Sequence, residues 1–119
     1  MAKYVDGFVL PVLVKNLPAY RRLARKAGKI WKEHGALEFR ECAGDDVDVK
    51  FGVPFKRQIR LRRGETVMFS WIVYSSRAHR DRVNAKVMKD KRMAGMDPAM
   101  MPFDCDRMVW GGFKVLVDL

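Results

Sequence analysis

The stretch Thr66-Val67-Met68-Phe69-Ser70-Trp71-Ile72-Val73-Tyr74 decides the fold. Its β-branched and aromatic residues favour a strand. Alternation sends Val67, Phe69, Trp71 and Val73 to one face and Met68, Ile72 and Tyr74 to the other, so both faces are apolar. A strand of that kind belongs inside a sheet that is covered on both sides. The apolar run from Val67 to Tyr74 is broken by Ser70 and falls far short of the roughly 18 residues a membrane helix needs.

Toward the C-terminus, Ser75 and Ser76 offer a cap, and Arg77 to about Lys91 reads as a helix that buries Val83 and Val87. A loop with Gly95, Pro98 and Pro102 follows, then a last strand over Met108 to Leu119 with Val109, Phe113, Val115 and Val117 on one face. Gly111 and Gly112 inside that strand predict a bulge or the close approach of another backbone. On the other side of the deciding strand, residues 44–64 form an irregular insertion that opens with Asp45, Asp46 and Asp48, with one short helix expected over Pro54 to Ile59. Before it, Leu37, Phe39 and Glu41 alternate with Glu38, Arg40 and Cys42, a strand with one half-solvated face.

The preceding helix is the plainest element. Tyr20, Leu23, Ala24, Ala27, Ile30, Trp31 and His34 recur every three or four residues, and Arg21, Arg22, Arg25, Lys26, Lys29 and Lys32 fill the opposite side. Asn16 is placed to cap it, Pro18 is tolerated in its first turn, and Gly35 ends it. Tyr4 to Val14 reads as the first strand, with Pro11 forcing an edge or a bulge.

Strand, helix, strand, strand, helix, strand folds as a ferredoxin-like α+β unit: a four-stranded antiparallel sheet with both helices on one face, in a single domain spanning residues 1–119. Two helices cover only one side of such a sheet. A contiguous apolar row left bare is unusual for a soluble monomer, so a second copy, packed sheet against sheet about a two-fold axis, is expected to cover it.

The 119 residues include 24 Lys and Arg against 14 Asp and Glu, a formal charge of +10, with 49% hydrophobic residues. That composition excludes a disordered or collagenous chain and leaves a basic globular protein. Asp6, Gly7 and Pro11 interrupt any signal-peptide core, so a cytoplasmic protein without a membrane partner is the expectation. Cys42 and Cys105, the two cysteines, suggest no disulfide framework and have no zinc spacing with His34 and His79. No phosphate loop, dinucleotide fingerprint or nucleophile elbow is present, and no metal or other cofactor is expected.

Several segments together resemble the YbaA-like family of small, uncharacterised bacterial proteins. They are Tyr4-Val5-Asp6-Gly7-Phe8-Val9, Glu41-Cys42-x-Gly44-Asp45-Asp46-Val47, Phe69-Ser70-Trp71-Ile72-Val73, Asn84-Ala85-Lys86-Val87-Met88 and Met101-Pro102-Phe103-Asp104 through Asp118. The region from Lys50 to Arg63 departs from the family in being more basic. The resemblance implies the dimeric α+β barrel superfamily and a domain of unknown function. Relatives elsewhere in that superfamily include cofactor-free monooxygenases, small isomerases, haem proteins and ligand-binding regulators.

Two functions of different kinds fit the residues. The first is a homodimer that binds a small organic molecule, or transforms it without a cofactor, in a cleft between sheet and helices. His79 and Glu41 are its candidate acid–base groups, Trp71 and Phe69 its candidate walls, and Arg107 its candidate anchor for an anionic ligand. Trp110 could share the wall, and the run Met93, Met96, Met100 and Met101 could form an adaptable lid. His34 is better placed to meet the negative end of its helix. The aspartates at 45, 46 and 48 do not match a calcium loop and are expected to pair with nearby cations. The alternative is an RNA-binding module in which Phe8 and Phe69 or Trp71 stack bases while the basic runs track phosphates. It would compete with the dimer for one sheet face.

Overall fold

A computed structural model describes residues 2–94 and 96–119. The elements are β1 (Tyr4–Leu13), α1 (Leu17–Glu33), β2 (Glu38–Ala43), the short α2 (Phe55–Gln58), β3 (Glu65–Tyr74), α3 (Arg77–Lys89) and β4 (Val109–Lys114). The strands form one antiparallel sheet in the order β2-β3-β1-β4, the expected ferredoxin-like arrangement. No helix of the described residues is long and apolar enough to cross a membrane.

Local chemistry accounts for the boundaries. Ser76 accepts the His79 backbone N–H at 3.1 Å and starts α3, and Pro54 precedes α2. Gly35, at φ +116°, makes the left-handed turn that ends α1. Asn16 holds the cap position of α1, but its side chain makes no capping bond, because a 3-10 turn at Val14–Asn16 leads directly into the helix. Pro11 sits beyond Val9, the last β1 residue paired with β4, so the proline lies where β1 has a single ladder neighbour. Gly95 of the expected loop lies outside the described residues.

The last strand is shorter than its sequence pattern. β4 stops at Lys114 because β1 offers partners only from Tyr4 onward, and one further backbone bond ties Val115 N–H to Lys3 O at 3.0 Å. The glycine pair makes no bulge, since the register runs through Gly7↔Gly111 and Asp6↔Gly112 without interruption. Aromatic rings are what approach closely: the Phe113 ring lies over Gly7 and Gly111, and a Cβ at Gly112 would stand 2.7 Å from the Tyr4 ring.

The helices cover the face that carries Phe8, Leu10, Met68, Ile72 and Tyr74. Two separate clusters form beneath them. One gathers Ile30, Ala36, Ile72, Tyr74, Val83 and Val87, and the other Leu10, Val12, Tyr20 and Met68, with Phe8 packed against both. The opposite face carries Val5, Val9, Phe69, Trp71 and Val73. The 44–64 segment folds over one end of it, where Phe55 meets Phe69 at 6.0 Å between ring centres and Val67 is buried. Phe69, Val109 and Phe113 remain 45%, 58% and 61% exposed there.

Candidate functional site

A cleft of about 500 Å³ opens between the two core clusters. Its floor is one row across all four strands, because the register sets Trp110 beside Phe8, Phe8 beside Ser70 and Ser70 beside Glu41. Phe8 and Trp110 stack with ring centres 6.0 Å apart and planes within 15°. Above the floor, α1 presents Leu23, Ala24 and Ala27. Phe103 closes one end, edge-on to Tyr20 at 5.5 Å, and Met88, Met93, Met96, Met101 and Met108 line the roof. Thioether side chains adapt to irregular apolar shapes, which suits them to a wall around a bound molecule.

Polar groups stand at two ends of this apolar space. At the first, Asn84 Oδ1 accepts from Trp31 Nε1 at 3.0 Å and from the Tyr74 hydroxyl at 3.1 Å. Asn84 also borders Asp6 and favours its ionised form. Asp6 is itself buried and held by Arg80 Nη1 at 2.7 Å, and that guanidinium lies 4.9 Å over the Tyr4 ring. Burial raises the Asp6 pKa against the opposing pull of Arg80 and Asn84. Every member of this cluster has protein partners, so it is a rigid support.

At the second end, the Tyr20 hydroxyl donates to Glu41 Oε2 at 2.7 Å. Burial pushes the Glu41 carboxyl up, and burial beside that carboxylate raises the Tyr20 phenol as well. Among the described residues Tyr20 is the one side chain bonded to Glu41. A carboxylate can accept about four hydrogen bonds, so Glu41 keeps acceptor capacity on the cleft side.

The residues singled out by sequence separate sharply. Glu41 lies in the cleft. His79 does not: its Nδ1 accepts the Ser75 backbone N–H at 3.0 Å and its ring meets Tyr74 edge-on, so it helps shape the start of α3. Arg107 is taken up by a two-pronged bond to Glu65 at 2.6 and 3.0 Å, with a further bond to Arg60 O. That pairing holds the Glu65 pKa below its usual value and fastens the turn before β4 to β3. Phe69 lies on the uncovered face, 5.6 Å from the Trp71 ring, and is no part of the cleft; Trp71 alternates onto that same face, yet its stretch of β3 between Ser70 and Ile72 also borders the cleft. Trp110 does line the cleft, as do Met93, Met96 and Met101, whereas Met100 is 81% exposed. His34 caps α1 and sits 2.8 Å from Asp90 Oδ2. Asp48 pairs with Lys56, and no acidic, histidine or cysteine cluster among the described residues could hold a metal.

The RNA arrangement fails on register. Phe8 faces the helices, whereas Phe69 and Trp71 pair with Val9 and Gly7 on the other side, so no shared platform exists for stacked bases.

Sequence reading missed Asp6, Tyr20, Ser70 and Asn84. A usable signal was present in Asp6, an acid inside an apolar strand, and in Ser70, the one polar residue within Val67–Tyr74. Both fall on the face that the helices cover.

The family described as "Protein of unknown function (DUF1428)" matches residues 3–105. The chain belongs to this family. It is 43% identical over 116 residues to the uncharacterized protein YbaA of Escherichia coli strain K12, with 98% of each chain covered, and equally similar to YbaA of Shigella flexneri. Among solved structures it resembles a dimeric ferredoxin-like protein from an uncultured marine organism, with TM-score 0.60, 12% identity and full coverage of both chains. It also resembles an uncharacterized NIPSNAP domain protein from Burkholderia xenovorans, with TM-score 0.57 and 13% identity over 92% of this chain and 91% of the other. These two likenesses support the ferredoxin-like fold of the DUF1428 chain.

Proposed function

We propose that this DUF1428 protein is a homodimer that binds a small ring-bearing organic molecule in the cleft between sheet and α1, with a hydrogen-bond donor of the ligand on Glu41. One observation carries the reading: a half-buried carboxylate, bonded among the described residues to Tyr20 alone, faces a space of about 500 Å³ walled by aromatic rings and thioethers. Ligand sites of this size are apolar with a few convergent polar groups. The stacked Phe8–Trp110 pair offers a flat surface for a ring, and Glu41 sets its orientation. The second copy is supported by the exposed Phe69, Val109 and Phe113 on the uncovered face, and by the dimeric state of the marine ferredoxin-like relative.

Calorimetry with 2-naphthol and 2-methoxynaphthalene tests the site, since O-methylation removes the O–H donor and keeps the ring system and the oxygen. Naphthol is expected to bind at least about tenfold more tightly, an advantage mostly lost in Glu41→Gln as a charged acceptor becomes neutral. Ala27→Phe is expected to abolish binding of both by filling the cleft. Equal affinities in all three proteins contradict the assignment.

A further inference from the structure

A second hollow, of about 810 Å³, lies on the other side of the wall formed by Tyr20, Phe39 and Glu41. Both spaces touch those three side chains and Ala24, so the Tyr20–Glu41 bond stands at their junction. The chemistry of the two differs. The cleft is walled by aromatics and thioethers, whereas the second hollow is rimmed by Arg21, Arg25, Lys29 and Lys32. Spacings of four, four and three residues put these cations in one stripe along α1.

That stripe is poorly compensated. Among the described residues no carboxylate lies within salt-bridge distance of Arg21, Arg25 or Lys29, and Lys32 Nζ donates to Leu37 O at 2.7 Å. Glu33, the other acid on the rim, is held by Arg92 at 2.6 Å. Glu41 therefore faces an excess of positive charge on one side and an apolar space on the other. A molecule that reached through the junction would meet apolar walls, then an acceptor, then cations.

We infer that the ligand of this site is an anionic amphiphile of the N-acyl amino acid type: an apolar acyl or aryl body in the cleft, an N–H or O–H donor on Glu41, and a terminal carboxylate over Arg21, Arg25 and Lys29. The inference rests on the cleft reading above and adds the anionic end. A donor placed two or three bonds before the carboxylate separates the ligand's charge from that of Glu41, and the cations offset the remaining repulsion. A plain apolar acid would put its carboxylate against Glu41 or leave the cations unused, and a polyanion too large for the junction would miss the acceptor.

The test uses N-(phenylacetyl)glycine, its methyl ester, which removes the charge, and its N-methyl analogue, which removes the donor. Titrations are run on the wild type, Glu41→Gln, Ala27→Phe and the triple variant Arg21→Gln/Arg25→Gln/Lys29→Gln, whose three changes lie at exposed positions of α1. The triple variant is expected to weaken the acid about tenfold and the ester less than twofold, with salt weakening the acid alone. Acid and ester bound equally well, or weakened equally by the triple variant, overturn the anionic end. The cleft reading then stands if the ester still loses binding in Ala27→Phe and N-methylation still couples to Glu41→Gln. No binding by any probe, or binding untouched by Ala27→Phe, overturns both.

Discussion

The two faces of the sheet divide the labour in an unexpected way. The face under the helices carries Asp6, Ser70 and Glu41, and the face that its own chain leaves uncovered carries Val5, Val9, Phe69, Trp71 and Val73 on its central strands. Ordinary economy would put polar groups toward water and apolar ones under the helices. On the covered face the two carboxylates have partners, Arg80 for Asp6 and Tyr20 for Glu41. On the uncovered face Phe69 and Phe113 have no comparable cover. The contrast separates the two faces: the covered one surrounds an internal space, and the uncovered one leaves apolar rings exposed, the surface that the proposed dimer would bury.

The largest effect should come from the uncovered face. Phe69→Glu places a charge on each copy of the proposed two-fold interface, and the dimer dissociation constant is expected to rise by about a thousandfold or more, as for loss of an interface hot spot. Equilibrium sedimentation reads this, and naphthol binding by the monomer reports that the covered face is intact.

The covered face should be broken next by Arg80→Met, which leaves Asp6 buried without its ion. Denaturant titration should record a loss of about 3 kcal/mol. Asp6 already has a raised folded-state pKa, so its neutral form is favoured on folding and the penalty is absent below its unfolded value near 3.8. It sets in as pH rises through the folded value, and the variant should therefore lose more stability at pH 8 than at pH 4. Glu65, whose pKa is lowered by Arg107, works in the opposite sense: its contribution is present above about 4.5 and lost as pH falls toward the folded value. An Arg107→Met variant should be less stable than the wild type at neutral pH, with the gap closing in acid.

Packing above the covered face differs along α1, and two smaller substitutions sharpen that difference. A Cβ at Gly28 would stand 2.6 Å from the Phe39 ring, so Gly28→Ala should cost about 1–3 kcal/mol through overpacking, despite the better helix propensity of alanine. Ala27 borders the cleft one residue earlier, and Ala27→Phe should stay within about 1 kcal/mol of the wild type because the ring enters open space. Equal destabilisation by the two would mean that the cleft is closed in solution.

Much of the fold was legible because periodicity is a physical requirement of burial. The three-and-four spacing from Tyr20 to His34 gave α1, and alternation through Val67–Tyr74 gave β3 and the two-sided apolar strand. The end of β4 was not legible, because Val115–Leu119 alternates well enough to be a strand and only the start of β1 at Tyr4 limits its pairing. The site was partly legible for the same reason. Glu41 shares the parity of Phe39 and so had to face the helices if Phe39 did. Asp6 and Arg80, 74 residues apart, meet only through the folded topology, and no spacing rule links them. His79 and Arg107 illustrate the reverse: residue types suited to chemistry that local capping and a carboxylate partner had already claimed.

Sedimentation velocity of the wild-type chain at micromolar concentration tests the central contrast most directly. The account predicts a species of twice the 13.8 kDa of one chain, which Phe69→Glu converts to a monomer. A wild-type chain that sediments at 13.8 kDa, with Phe69 and Phe113 open to water, would contradict it.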